Sequence, residues 1–322
     1  MKRLWRSTVL AFLLFSAAPV DVRAEELLIP VGRVIGLQLS DDTVTVAAFD
    51  DALGTAARDA GLRIGDEIIM IDGRVIDSAG DVRSALGAAG SRVELTVRRG
   101  GDTHTLHMVP RSGSDGPRLG IYLRQGITGI GTVTWYDPDT GRFGALGHGV
   151  SNGKGKLLAM SGGTAFEAAV VSVKKGRAGE PGQLKGSAEA RNTCGRLLRN
   201  TPQGVFGISR TGWAGEPLPV ADYDDIQTGP ATIRATVKDG DVQEYSVEIL
   251  KIYPEDRFDH RNFLLKVTDP ELLEETGGIV QGMSGSPICQ NGKIVGAVTH
   301  VLVNDPTMGY GIFIENMLDA AS

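Results

Sequence analysis

The 322-residue sequence holds two cysteines, Cys194 and Cys289, and five scattered histidines, none at a spacing that ligates a metal. No metal and no cofactor is expected. Positive charge is not in excess: 33 Lys and Arg stand against 39 Asp and Glu, a formal charge of −6. That excludes a partner recognised through its phosphate backbone, which demands a basic face. Aromatic residues are only 6% of the chain. No apolar run reaches the ~20 residues a membrane span needs. The two cysteines lie 95 positions apart, and their spacing leaves both a disulfide and two buried thiols open.

Glycine is abundant, 44 residues, about twice ordinary usage. The N-terminus carries Lys2, Arg3 and Arg6, then the apolar run Thr8–Ala18, then the small residues Val22 and Ala24 before Glu25. Basic head, short apolar middle and small-residue end form an export signal over residues 1–24, either cleaved or kept as an anchor. Without it the chain is more acidic, near −9.

Residues 27–110 read as one unit. VIGLQL and TVTVAAF are strand-like, and TAARDAG is a short helix with Gly61 suited to its C-terminal cap. In LRIGDEIIMIDGRVI an Asp-Gly turn joins two strands. SAGDVRSALGAAG is an amphipathic helix capped by Ser78 or Asp81, with Val82, Ala85 and Leu86 on one face. SRVELTVRRGGDTHTLHMVP closes the unit as a hairpin. This order resembles a bacterial PDZ domain, a small α+β module that adds an extended peptide to a sheet edge. The resemblance implies that Val34, Ile35, Gly36 and Leu37 form the loop receiving the peptide carboxylate, Gly36 allowing close approach.

RSGSDGPR, residues 111–118, reads as a linker. Beyond it, about ten strand-length apolar pieces separated by glycines predict an all-β sandwich or barrel over 119–322. Helical signals are weak until ENMLDAAS.

Within GGIVQGMSGSPICQNGKIVGAVTH two serines stand two residues apart. A strand, a glycine-bounded serine, a proline and an Asn-Gly hairpin match the Gly-x-Ser-Gly-x-Pro surroundings of the nucleophile in chymotrypsin-like peptidases. The match selects Ser284, leaves Ser286 at the variable position, and makes the N–H groups of Gly282 and Ser284 the oxyanion donors. Met283 stands where many relatives of that fold carry Asp. A serine nucleophile needs a base. His148, between two glycines in FGALGHGV, is poorly explained as core and precedes Ser284 by 136 residues, room for one barrel; His300 is the lesser candidate. For the acid, spacing alone points to Asp222, Asp224 or Asp225.

FGALGHGV, VTDPELLEETGGIVQGMSGSPI and GAVTHVLVNDPTMGYGIFIENML together resemble the stage IV sporulation protein B (SpoIVB) peptidase family. The resemblance implies a PDZ domain followed by a chymotrypsin-like double β-barrel, mostly β overall. It implies an exported or membrane-associated serine endopeptidase of the space around a forespore. Such enzymes cleave themselves, then a membrane-bound regulator of an intramembrane protease, and so release a sigma factor. Catalytic roles carry onto His148, Asp269 and Ser284. Asp269 is also explained as the cap of a helix opening at Pro270. A quality-control peptidase of the HtrA type and a non-catalytic PDZ scaffold are the competing readings.

Overall fold

The computed structural model describes residues 26–322 except 114, 153–154, 239 and 255–259, and the side chains of 189–190; the export signal expected over residues 1–24 lies outside the described residues. Among them no helix is long and apolar enough to cross a membrane.

The chain runs through β1 (Leu27–Pro30), β2 (Val34–Phe49), α1 (Thr55–Asp59), β3 (Glu67–Ile71), β4 (Arg74–Val75), α2 (Ala79–Ala88), β5 (Val93–Arg99) and β6 (Asp102–Met108). Then come β7 (Arg111–Gly113), β8 (Gly116–Arg118), β9 (Ile121–Tyr136), β10 (Arg142–Ala145), β11 (Gly162–Lys174), β12 (Gln183–Thr201) and β13 (Gly204–Ser209). The last part holds β14 (Leu218–Pro219), β15 (Gly229–Thr236), β16 (Val242–Ile252), β17 (Phe263–Val267), α3 (Pro270–Thr276), β18 (Pro287–Gln290), β19 (Lys293–Leu302), β20 (Asp305–Phe313) and α4 (Ile314–Ala321).

VIGLQL and TVTVAAF, expected as two strands, form the single β2. It pairs antiparallel with β9 from Val34↔Thr132 to Phe49↔Ile121. Each of these strands has 16 residues, a ribbon of about 50 Å. The register slips between Leu39 and Val44. There Gly126, at φ +75°, passes so close that an added Cβ would lie 1.8 Å from the Leu39 carbonyl. Its N–H donates to Asp41 Oδ1 at 3.1 Å. This seam divides the ribbon between two domains.

On one side, Val44–Phe49 and Ile121–Gln125 join β3, β5 and β6 in the PDZ sheet. Helix α2 lies against it, capped by Ser78, whose Oγ accepts from the Asp81 N–H. Val82, Ala85 and Leu86 are buried with Ile68, Ile71 and Leu95. On the other side, Val34–Leu39 and the rest of β9 close a six-stranded barrel with β10, β13, β12 and β11. Strands β15, β16, β17, β20, β19 and β18 close the second barrel. The architecture is mostly β, with a PDZ domain and paired barrels as the sequence predicts.

Domain boundaries differ. The PDZ domain is an insertion carried on β2 and β9, not a preceding module. Residues 27–39, expected in the PDZ unit, build the first barrel, and Ile121–Gln125, expected in the peptidase unit, complete the PDZ sheet. The expected linker 111–118 is the β7–β8 hairpin, with β8 against α2.

Val34, Ile35, Gly36 and Leu37 consequently do not form a peptide-receiving loop. Both edges of this segment are taken, by β9 and by β11. Val34, Ile35 and Leu37 are buried in barrel cores, and Gly36 serves packing, since a Cβ there would meet the Ala188 Cβ at 2.5 Å. GGIVQ, expected as a strand, is instead the exit of α3. Gly277 and Gly278 turn the chain at φ +74° and +128°, and only Gln281 bridges a neighbour.

Candidate active site

Strand β10 delivers His148 to the seam between the barrels. Leu146 and Gly147 follow it at φ +71° and +65°. At Gly147 an added Cβ would sit 3.0 Å from the Thr299 Cγ2 on β19. The missing side chain lets the two barrels touch there. The His148 ring then lies on His300, centroids 5.1 Å apart. Nδ1 is 3.0 Å from the Gly149 carbonyl. A carbonyl only accepts, so Nδ1 carries the hydrogen and Nε2 keeps its lone pair. Burial pushes the imidazole pKa below the ordinary 6.5, against the smaller opposing effect of the Gly149 bond. His148 is therefore a neutral base near pH 7.

The serine turn follows α3. Gly282 and Gly285 hold φ +102° and +97°, a region only glycine adopts without strain. Space is as strict: a Cβ at Gly285 would lie 2.1 Å from the Thr132 carbonyl. Ser284 is half-buried, and its Oγ donates to the Thr299 carbonyl at 2.7 Å. Thr299 thus receives the Ser284 hydroxyl, touches the loop bearing His148, and precedes His300, whose ring packs at a tilt against His148. Among the described residues, neither the Gly282 N–H nor the Ser284 N–H donates to a protein acceptor. Every neighbouring amide of the turn is used: Met283 to Val280, Gly285 to Val298, Ser286 to Met283. Ser286 is fully buried, out of a substrate's reach, and Met283 packs into the second core.

Asp269 is not brought to His148. Its Oδ1 accepts from the N–H groups of Glu271 and Leu272 at 3.0 Å, and its Oδ2 from Ser246 at 3.2 Å. It is the N-cap of α3. Its charge is felt by Tyr245, whose pKa rises to about 12 through burial first and then Glu271, Asp269 and Glu275. Asp225 pairs with Lys293 at 3.0 Å on a surface turn. Among the described residues His148 touches no carboxylate; the Gly149 carbonyl stands where a triad acid would. Cys194 and Cys289 are free thiols in different cores, pushed by burial to about 11 and about 12.

Among the described residues the PDZ sheet has two open edges, β6, which pairs only with β5, and β9 at Ile121–Gln125, which pairs with β2 on its other side. Gln125 ties this edge to α2, donating to the Asp77 carbonyl at 3.0 Å and accepting from Ala79 N at 3.3 Å. Arg118, Leu119 and Gly120 precede the edge, Gly120 at φ +71° with its carbonyl held by Asp50 N. Nothing in the local sequence singles out this segment. Leu119-Gly120-Ile121 repeats the apolar-Gly-apolar pattern of Ile35-Gly36-Leu37, so the signal was present twice and local pattern does not choose between copies.

Two barrels meeting at a glycine-bounded serine and a neutral histidine, with an inserted PDZ domain, define the class: a PDZ-containing serine peptidase. The family model for SpoIVB peptidase S55 matches residues 115–318, and that for the PDZ domain matches residues 34–108. The chain belongs to the SpoIVB peptidase S55 family. A zinc metalloprotease by name, Atu1380 of Agrobacterium fabrum, is 36% identical over 111 residues, 34% of this chain. The chain spans about a quarter of that relative's length, 27%. Among solved structures, the PDZ domain of the SdrC-like protein Lmo2051 from Listeria monocytogenes is similar at 24% identity. That match covers 26% of this chain and 87% of that one, with a TM-score of 0.23. The Rv3671c protease from M. tuberculosis, active form, is similar at 15% identity, covering 62% of this chain and 73% of that one, with a TM-score of 0.33.

Proposed function

We propose that this chain is an exported serine endopeptidase with Ser284 as nucleophile and His148 as general base. The observation that carries the reading is the pair of unused N–H groups, Gly282 and Ser284, on the turn that holds the serine. The Ser284 hydroxyl swings from the Thr299 carbonyl to His148 Nε2 and gives up its proton as Oγ attacks the scissile carbonyl. The carbonyl oxygen, now negative, meets the two amides. His148 passes its proton to the leaving amine, and water repeats the sequence to free the acyl-enzyme. The Gly149 carbonyl keeps the imidazole in the required tautomer.

The substrates are proteins, and an extended peptide with a free C-terminus pairs with the β9 edge between Arg118 and Gln125. The role follows the family resemblance: self-cleavage, then cleavage of a membrane-bound regulator of an intramembrane protease during sporulation. The export signal supports placement between the two membranes around a forespore. The test is incubation of the full chain with time, followed by terminal sequencing of fragments. Wild type is expected to cut itself, and Ser284→Ala and His148→Ala to stay whole. Fragments of the same termini from Ser284→Ala would refute the reading.

A further inference from the structure

Resting on Ser284 as nucleophile, we infer that Thr132 of β9 is the positioning residue that aims the oxyanion amides. A peptide unit is planar, so holding its carbonyl fixes the direction of its N–H. The Thr132 hydroxyl donates to the Gly282 carbonyl at 2.8 Å, and its N–H donates to the Ser284 carbonyl at 3.1 Å. These bonds fix the peptide units on either side of the one that carries the Ser284 N–H. The donors' own units are held at their carbonyls, Gln281 accepting from Leu184 N at 2.8 Å and Met283 from Ser286 N at 2.9 Å, and Thr132 adds the hold on the units that flank the Ser284 N–H. Thr132 itself has no slack. It is 1% exposed, its own carbonyl receives the Leu146 N–H, and Gly285 is pressed against that carbonyl.

Thr132 touches neither substrate nor the Oγ, so its effect passes through the turn. Its backbone bond survives any substitution; its hydroxyl bond does not. Without the hydroxyl, the unit between Gly282 and Met283 keeps only the Met283 N–H bond to Val280, at a glycine with wide conformational freedom, and the aim of the oxyanion donors on either side of it loosens.

The test uses the full-length protein and the rate of phosphonylation by a fluorophosphonate, whose adduct places an oxygen in the same hole. Thr132→Val keeps shape and removes the hydroxyl; Thr132→Ser restores it. Thr132→Val is expected to react at least tenfold more slowly with unchanged weak-binding concentration dependence, and Thr132→Ser within threefold of wild type. A wild-type rate in Thr132→Val, or equal losses in the two variants, would overturn the assignment. Should Thr132→Val fail to fold, Thr132→Ser decides alone: a rate within threefold of wild type supports the role and a tenfold loss overturns it. Ser284→Ala separates the two claims. Labelling abolished there, with Thr132→Val unaffected, refutes only the role of Thr132; labelling that persists there refutes the nucleophile as well.

Discussion

His148 and Asp269 illustrate how one residue type in one motif supports two readings that geometry separates. A depressed imidazole pKa keeps His148 neutral, and the consequence is measurable. Since its folded pKa lies below 6.5, more than half of the enzyme should remain competent at pH 6.5, with activity falling only as pH drops further. Between that folded pKa and 6.5 the unfolded chain binds more protons than the native one, so stability should rise with pH across this window. His148→Ala should flatten that slope in thermal melts at graded pH. Asp269 is expected to act as a cap. Asp269→Ala should cost about 1 kcal/mol of stability, whereas Asp269→Asn, which still accepts at the α3 terminus, should retain both stability and peptidase activity. Loss of activity in a folded Asp269→Asn protein would restore it as the triad acid. Sequence exposed the serine and the histidine because glycines flank both and their reason is local. It left the acid open because a carboxylate before Pro270 caps a helix wherever it stands, and only long-range geometry says what else it reaches.

At the scale of elements, β2 and β9 carry the largest departure from the sequence reading. Their alternation identifies strands, but nothing local says that one strand serves two domains. The slip at Leu39–Val44 and the passage at Gly126 are where the change occurs. Gly126→Ala forces a Cβ into the Leu39 carbonyl at positive φ. It should lower the melting temperature and reduce Ser284 reactivity together, because the disturbed strand holds Thr132. Within the PDZ sheet Asp66 is buried and its partner Arg99 is part-exposed. Burial alone would raise the Asp66 pKa, but the Arg99 guanidinium, 2.7 Å away, and the Arg63 amide together hold it low. Removing the cation with Arg99→Leu leaves the buried carboxylate with the Arg63 N–H alone and should cost about 1–3 kcal/mol, seen as a lowered chemical-denaturation midpoint. The helices were the easier part: Ser78 capping α2 and Asp-Pro opening α3 have reasons confined to four residues.

Considered whole, the molecule is a two-barrel peptidase whose PDZ domain interrupts the first barrel. Deleting residues 28–110 would remove β1 and β2 and with them a wall of that barrel. Replacing residues 41–125 by Asn-Gly instead joins Ser40 to Gly126 through a tight hairpin turn, which should leave both barrels folded and Ser284 reactive. An unfolded product would place the PDZ domain within the core folding unit.

The central claim is that Ser284, with His148, is the reactive centre. Its most direct measurement is the mass and position of the adduct formed by a fluorophosphonate on the intact chain. One adduct per chain on Ser284, at least a hundredfold slower in His148→Ala, is the expected result. An adduct on any other residue, or an undiminished rate in folded His148→Ala, would contradict it.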